Sequence, residues 1–329
     1  KNSKIKIVYM MYFAVLLALF GLELLYFRIA DHFNIIDKPN HRSSHSTVTL
    51  RGGGIIFYFA VLIFFLMSGF EYPWFFLGLS MMTLISFFDD IFTLNSKIRL
   101  VIHFLAVLLV AYQLSVFEMP WIYLFITFIV FVGGINAYNF MDGINGITAS
   151  YSLAVGLLLS WVNIEVDFID QRLLSFSIAG VLVFGFFNFR SKAKCFAGDV
   201  GSVAIGYIYL YCLSALILKT SNLSYILFLA VYGVDTIWTI IHRLYLKENI
   251  FEAHRTHLYQ YLSNEVGINK LVISFMYGVI QLLIGISVLF VAKYDISTQI
   301  LFSVIIISVI SAIYLCIKNY VYKKYVRNH

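Results

Sequence analysis

The chain has 329 residues, of which 61% are hydrophobic and 12% are charged, and its formal net charge is +6. Average soluble domains contain about 45–50% hydrophobic and about 25% charged residues, whereas the mean hydropathy of this chain is +0.88. This composition excludes a soluble enzyme and predicts an all-α, polytopic integral membrane protein.

Eleven apolar segments predict membrane-spanning helices, because each approaches the ~20 residues that a bilayer requires. In chain order they are Ile5–Ala30, Ile55–Phe70, Trp74–Phe88, Leu100–Phe117, Trp121–Ala137, Ile147–Asn163, Leu173–Phe187, Val203–Leu218, Tyr225–Ile241, Leu271–Ala292 and Thr298–Ile317. We expect about 11 helices, with 10 as the alternative. A signal peptide is disfavoured for the first segment, because the apolar run is too long and no small-residue cleavage site follows it.

The distribution of basic residues predicts the orientation of these helices. Of the 23 Lys and Arg residues, six lie at the N-terminus or in the loops after the even-numbered spans. The others concentrate in the odd-numbered loops and the C-terminal tail, which the positive-inside rule therefore places in the cytoplasm. Three N-terminal lysines argue the other way. The odd-numbered loops also carry most of the Gly, His, Asn and paired acidic residues, so we expect the functional site there.

The first of these loops contains His45 and Arg51, followed by Gly52, Gly53 and Gly54. Glycine N–H groups before a helix suit an anion, and the basic side chains would add donors. The alternative is a flexible turn that carries positive-inside residues.

The second loop begins with the adjacent carboxylates Asp89 and Asp90, and Lys97 and Arg99 follow. Two neighbouring acids at a helix end repel each other and favour a divalent metal or a basic cluster as partner. The alternative is a solvated helix end. Lys97 and Arg99 could pair with the acids or hold a phosphate.

The third and fourth loops combine amide and carboxylate side chains with glycines. Asn139 and Asp142 suit recognition of a nucleobase edge or a sugar, with a polar cap between helices as the alternative. Asn188 opens the fourth loop, and Asp199 lies between glycines at the start of a span. Asp199 fits a Mg²⁺ ligand and a helix N-cap equally well.

The ninth span and the fifth loop contain the last polar candidates. Asp235 lies within the span, and we expect a structural role because Arg243 is two turns away. In the loop, His254, Arg255 and His257 do not have the spacing of a zinc motif. Clustered His and Arg donors suit a diphosphate. The alternative is a surface hairpin.

Five motifs occur in the order DKPNxRSSH…RGGG, FFDD, NxxNFMDGINGI, FxGDxGS and HRTHLYQ, between Asp37 and Gln260. This set resembles the polyprenyl-phosphate N-acetylhexosamine-1-phosphate transferases, a superfamily that also contains the phospho-N-acetylmuramoyl-pentapeptide transferases. The fifth motif is similar to the branch that initiates O-antigen or capsule units, often with a 6-deoxy N-acetylhexosamine. The chain departs from the family pattern by lacking prolines before the glycine triplet and before Asp235.

The resemblance implies one transferase domain over 1–329, with the His/Arg motif on a cytoplasmic loop at 242–270. The implied reaction transfers an N-acetylhexosamine 1-phosphate from a UDP-sugar to undecaprenyl phosphate and releases UMP, with Mg²⁺ or Mn²⁺ as cofactor. The donor would be UDP-N-acetylglucosamine or a 6-deoxy analogue. The implied location is the bacterial inner membrane, with the bilayer as a partner, no nucleic acid, and a homodimer as an option.

The resemblance also implies residue roles. The catalytic residues would be Asp89, Asp90, His254 and His257, and the metal ligand would be Asp199. The substrate-binding residues would be His45, Arg51, Lys97, Arg99, Asn139, Asp142, Asn188 and Arg255. Alternatives are a muramoyl-pentapeptide-type transferase, a transporter and an inactive scaffold subunit, although the sequence shows no internal repeat of the kind that many transporters carry.

Overall fold

The computed structural model describes residues 2–38, 48–92, 94–249 and 254–326. Every one of the eleven predicted spans coincides with a helix in these ranges. The long helices are α1 (Asn2–His32), α2 (Ile56–Met67), α3 (Pro73–Phe92), α4 (Ser96–Gln113), α5 (Trp121–Met141), α6 (Ile147–Val166), α7 (Gln171–Asn188), α8 (Gly198–Thr220), α9 (Ala230–Tyr245), α11 (Lys270–Val291) and α12 (Ile296–Val321), and α10 (Leu258–Gln260) is a single turn.

Nine helical segments in the described ranges are long and apolar enough to cross a membrane. Of the other two predicted spans, α2 has only 12 residues, and α4 carries Lys97, Arg99 and His103. The prediction of an all-α, polytopic membrane protein is confirmed.

Within the described ranges, two very short strands depart from the all-α architecture. Ile36–Asp37 pairs antiparallel with Thr49–Leu50, and Leu50 forms a parallel bridge with Cys195. The Phe196 N–H donates to the Leu50 carbonyl at 2.8 Å. This pairing holds the end of the first loop against the segment that precedes α8.

Helix α8 forms the centre of the molecule and contacts α2, α3, α5 and α6. Its residues are apolar on all sides, as expected for a helix that is surrounded by other helices, and most of them are buried. Helix α6 packs against α7 and α11, whereas α12 lies at the periphery beside α9. The polar first turn of α8 is thereby fixed at one end of a rigid apolar core.

Candidate active site

The first turn of α8 is capped by a carboxylate from another helix. Asp90, near the end of α3, accepts hydrogen bonds from the Asp199 N–H at 3.1 Å and the Val200 N–H at 3.0 Å. Its side chain is only 1% exposed, and Arg51 Nη2 lies 2.7 Å from its Oδ1. A Cβ on Gly198, which has φ +71°, would lie 2.6 Å from Asp90 Oδ2, so this approach requires glycine.

Because Asp90 supplies the cap, the side chain of Asp199 is not used as one. Its carboxylate is 32% exposed, with Arg51 Nη2 at 3.7 Å and Arg99 Nη1 at 3.8 Å. Within the described ranges no hydrogen bond reaches its carboxylate oxygens. The sequence allowed two roles for Asp199, a Mg²⁺ ligand or a helix N-cap. The arrangement favours the first, because the cap is already supplied by Asp90.

Asp89 is held by the neighbouring loop and by Arg99. The Leu94 N–H donates to its Oδ1 at 2.7 Å, and Arg99 forms an ion pair with its Oδ2. Of the two roles predicted for Arg99, pairing with an acid or holding a phosphate, the structure shows the pairing. Lys97 is exposed. The basic partner of the two adjacent acids is a pair of arginines, Arg51 for Asp90 and Arg99 for Asp89.

Two of the three N–H groups of the glycine triplet are used inside the protein, which corrects the hypothesis that they bind an anion. The Gly53 N–H donates to the Phe196 carbonyl at 2.9 Å and the Gly54 N–H to the Ala197 carbonyl at 3.1 Å. A Cβ on Gly54 would lie 2.3 Å from the Gly201 Cα. The triplet therefore allows the backbone before α2 to pack directly on the start of α8, which positions Arg51 beside Asp90.

Asn139 and Asp142 extend the site along the end of α5. The Asn139 amide donates to Ser202 Oγ, in the second turn of α8, at 3.1 Å. Asp142 accepts a hydrogen bond from Thr148 Oγ1 at 2.5 Å. Burial raises the pKa of Asp142 to about 6, the charge of Asp199 also raises it, and the Thr148 hydrogen bond and Arg51 oppose the shift.

Asn188 is buried and both ends of its amide are used inside the protein. Its Oδ1 accepts from the Gly146 N–H at 2.7 Å, and its Nδ2 donates to the Cys195 carbonyl at 2.8 Å. This amide therefore ties the third loop to the fourth instead of serving as the substrate-binding group that the resemblance implied.

His257 is oriented by an acid inside the helix bundle. Its Nδ1 lies 3.1 Å from Asp235 Oδ1, and Asp235 also accepts from the Leu258 N–H and from Tyr277. This corrects the expected partner of Asp235, since Arg243 pairs with Glu248 at 2.9 Å. His257 is 2% exposed, and within the described ranges its Nε2 is buried without a hydrogen-bond partner.

The other residues of the fifth motif lie beside this histidine. His254 Nδ1 is 2.9 Å from Thr256 Oγ1. Burial lowers the pKa of His254 to about 3, with His257 and Arg243 adding to the effect, so His254 is neutral at pH 7. The Arg255 guanidinium lies 3.8 Å from Glu265. His45 lies outside the described residues.

The fifth motif packs against the third. The Tyr259 hydroxyl donates to the Phe140 carbonyl at 2.9 Å, and the rings of Phe140 and His257 are 6.2 Å apart. The structure therefore connects Asn139 and Asp142 with the Arg51–Asp199 cluster on one side and with the histidines on the other.

Sequence reasoning missed two features. It noted Asp235 but assigned it to the wrong partner, and it did not note Glu23, which is 0% exposed in α1 and accepts a weak hydrogen bond from Cys195 Sγ at 3.6 Å. An acidic residue in a membrane span is the signal that could have found Glu23.

The Asp199 carboxylate suits Mg²⁺ as a single protein ligand, and the site does not offer several protein ligands around one ion within the described ranges. No group of three or more His, Cys, Asp or Glu side chains in the described ranges could hold a metal ion. Mg²⁺ commonly binds through one or two carboxylates and keeps waters and substrate phosphates as its other ligands. The half-exposed Asp199 carboxylate meets that requirement.

Residues 72–218 match the model of glycosyl transferase family 4. The undecaprenyl-phosphate α-N-acetylglucosaminyl 1-phosphate transferase of Thermotoga maritima is 29% identical over 72% of this chain and 76% of its own length. A probable undecaprenyl-phosphate N-acetylglucosaminyl 1-phosphate transferase of Bacillus subtilis is 27% identical over 71% of each chain. The phospho-N-acetylmuramoyl-pentapeptide-transferase of Leuconostoc mesenteroides is 29% identical over 47% of this chain and 48% of its own length.

These comparisons confirm the resemblance to a superfamily that includes both kinds of transferase. The matched range contains Asp89, Asp90, Asp142 and Asp199, whereas Arg51 and the histidine motif lie outside it. The family and the relatives are transferases, which favours an enzyme over the transporter and scaffold alternatives.

Proposed function

We propose that this chain, a relative of the undecaprenyl-phosphate sugar-1-phosphate transferases, transfers an N-acetylhexosamine 1-phosphate from a UDP-sugar to undecaprenyl phosphate. The names of the Thermotoga and Bacillus relatives support the reaction class. The observation that carries the proposal is the carboxylate of Asp199, which is open between Arg51 and Arg99 at the N-terminus of α8. A helix N-terminus with two guanidinium groups suits substrates that carry several phosphates.

In the proposed reaction an oxygen of the lipid phosphate attacks the β-phosphorus of the UDP-sugar. The bond from that phosphorus to the bridging oxygen breaks, and UMP leaves with this oxygen. A phosphate monoester has a second pKa near 6, so the acceptor is mostly a dianion at pH 7 and needs no strong general base. Catalysis then rests on positioning and on neutralising charge.

The geometry suggests a revised role for the paired acids. Asp90 is buried and bonded to two backbone N–H groups and Arg51. It therefore positions Arg51 and the first turn of α8 rather than touching the acceptor. Asp89 would position Arg99 in the same way, and both arginines would bind phosphate oxygens.

Asp199 is the proposed Mg²⁺ ligand. When bound there, the ion would neutralise charge on the diphosphate and on the developing UMP. Mn²⁺ also prefers oxygen ligands and should replace it.

The remaining residues divide between the two ends of the donor. We assign Asn139 and Asp142 to the nucleotide end. We assign His254, Arg255 and His257 to the diphosphate and the adjacent sugar, because the two histidines pack against Phe140 next to Asn139. His45 is proposed to close the site.

The donor sugar and the pathway are the finer part of the proposal. The HRTHLYQ motif favours initiation of O-antigen or capsule synthesis with UDP-N-acetylglucosamine or a 6-deoxy analogue. A muramoyl-pentapeptide donor is the second candidate, since relatives of that kind also match.

The test measures UMP release by the purified protein with undecaprenyl phosphate and a panel of UDP-sugars, which includes UDP-N-acetylmuramoyl-pentapeptide. We expect label from one UDP-N-acetylhexosamine to enter the organic phase, EDTA to abolish this, and Mg²⁺ to restore it. Asp199→Asn should lower the rate at least 100-fold and recover partly at high Mg²⁺, whereas Asp167→Asn, at an exposed position after α6, should not. Full activity after exhaustive chelation would disprove the metal assignment, and no transfer from any donor would disprove the function.

We further propose that the protein lies in the bacterial inner membrane with its site on the cytoplasmic face. The support is the positive-inside distribution of Lys and Arg. Single cysteines at Lys247 and Asp167, in a chain whose native cysteines are replaced, test the orientation. An impermeant reagent outside intact cells should label the cysteine at Asp167. Labelling of the cysteine at Lys247 would show that the proposed orientation is wrong.

A further inference from the structure

A groove between α9 and α12 lies outside the cluster around Asp199. Its volume is about 200 Å³, several times the ~30 Å³ share of one water molecule in the liquid. The residues that line it include Trp238, Ile241, His242, Tyr245, Tyr261 and Lys318.

Lys318 gives this groove a buried ammonium group that forms no ion pair within the described ranges. Its side chain is 5% exposed, and its Nζ donates to Thr239 Oγ1 and to the Tyr314 hydroxyl, each at 2.8 Å. An ammonium group has three donors. In the described part of the chain two of them form these hydrogen bonds, and the faces of the Tyr261 and Tyr314 rings lie 5.9 and 5.2 Å from Nζ. No carboxylate in that part of the chain contacts Nζ directly, so an anion in the groove would be stabilised.

The acids near the groove are already paired. The charge of Asp235 acts on Lys318 from a distance, because the hydroxyls of Thr239 and Tyr314 lie between the two groups, and Asp235 also bonds to His257. Glu248 forms its ion pair with Arg243 at 2.9 Å. Neither carboxylate therefore replaces an external anion at Lys318.

The rim of the groove faces the surroundings of the helix bundle and is apolar. Ile241 is 46% exposed and Tyr245 is 83% exposed, and next to Lys318 the α12 residues Ile313 and Ile317 are 55% and 39% exposed. Tyr and Trp residues typically mark the headgroup level of a bilayer. Apolar helix surface for acyl chains thus leads directly to a buried cation.

We propose that this groove binds the phosphate of an anionic phospholipid from the surrounding bilayer, with Lys318 as its ligand. The phosphate would accept the third N–H of Lys318, and the acyl chains would lie along α12. The inference does not depend on the proposed transfer reaction.

The experiment titrates the purified full chain in neutral detergent with phosphatidylglycerol or phosphatidylcholine and counts bound lipids by native mass spectrometry. We expect one phosphatidylglycerol to bind in preference to phosphatidylcholine. Lys318→Met should weaken this binding about tenfold or more, the usual effect of removing a charge-assisted hydrogen bond. Lys318→Arg should retain it, and so should the control Lys324→Met, which removes an exposed lysine from the same end of the chain.

A second variant leaves the lysine in place in case Lys318→Met does not fold. Ile241→Trp fills the mouth of the groove and should also displace the lipid. Equal binding of the two phospholipids, unchanged binding in the Lys318→Met and Ile241→Trp variants, or equal loss in Lys324→Met would overturn the proposal. Displacement of phosphatidylglycerol by equimolar short-chain polyprenyl phosphate would assign the groove to that lipid and overturn it as well.

Discussion

Asp235 and His257 offer a direct test of how the bundle interior controls the site. Asp235→Asn preserves the shape of the side chain and removes its charge. Oδ1 can keep its contacts with His257 and Leu258, while the Tyr277 hydroxyl, 2.8 Å from Oδ2, can rotate and accept from the new amide. The fold should therefore survive, with a loss of about 1–3 kcal/mol because charge-assisted hydrogen bonds become neutral ones.

The loss of activity should be larger than this loss of stability suggests. A neutral amide holds the Nδ1–H of His257 less firmly than a carboxylate does and can also turn its NH₂ group toward the ring, so Nε2 points less reliably to one place. Removing the carboxylate behind a functional histidine commonly costs about 10- to 100-fold, and we expect kcat to fall by this factor. The assay is the initial rate of UMP release at saturating substrates, with unfolding in detergent measured in parallel.

A double-mutant cycle separates this role from a general weakening of the fold. If Asp235 acts through His257, then Asp235→Asn should change the rate less than about twofold in a His257→Ala background, because the two residues form one unit. Asp295→Asn, which removes an exposed carboxylate cap from α12, is the control and should leave the rate unchanged. Additive effects in the cycle, or a fully active Asp235→Asn variant, would refute the reasoning.

Three further predictions follow from the packing and charges of the site. Gly54→Ala should lower the free energy of unfolding by about 3 kcal/mol, the upper range for overpacking, because its Cβ would overlap the Gly201 backbone. The control Gly133→Ala, whose Cβ would meet nothing within 4 Å, should leave stability unchanged. Unfolding in detergent compares the two variants. Asp142→Asn should reduce activity yet stabilise the protein at pH 7 by about 1–3 kcal/mol. The pKa of Asp142 is raised to about 6 in the folded protein, so ionisation of this carboxylate destabilises the fold as the pH rises from about 4 to above 6. The stability gained by Asp142→Asn should therefore disappear below pH ~4. An equal gain in stability at pH 7 and at pH ~4 would contradict this cause. Asn188→Asp should destabilise the fold by about 1–3 kcal/mol, since a carboxylate would face the Cys195 carbonyl, and unfolding midpoints close to those of the unchanged protein would show that the amide is dispensable.

The sequence by itself determined where the apolar helices lie and which transferases the chain resembles. Hydropathy is a local property that adds up along a segment, so all eleven apolar runs coincide with helices without any knowledge of their neighbours. The order of the motifs is also read directly along the chain, so the resemblance to these transferases is visible before the fold is known.

Only the tertiary structure decided which of these polar residues are open and which are bonded within the protein. Asp90 caps the first turn of α8 through the N–H of Asp199, 109 residues later in the chain. This leaves the Asp199 carboxylate open, a difference that the sequence does not show. Asn188, Gly53 and Gly54 resemble ligand-binding groups, yet their hydrogen-bond partners lie on adjacent loops. Asp235 lies two turns from Arg243, but it bonds instead to His257, which is 22 residues away. In an apolar interior each polar group must find a partner, and which partner it finds depends on how closely the helices approach each other, a distance that no local pattern encodes.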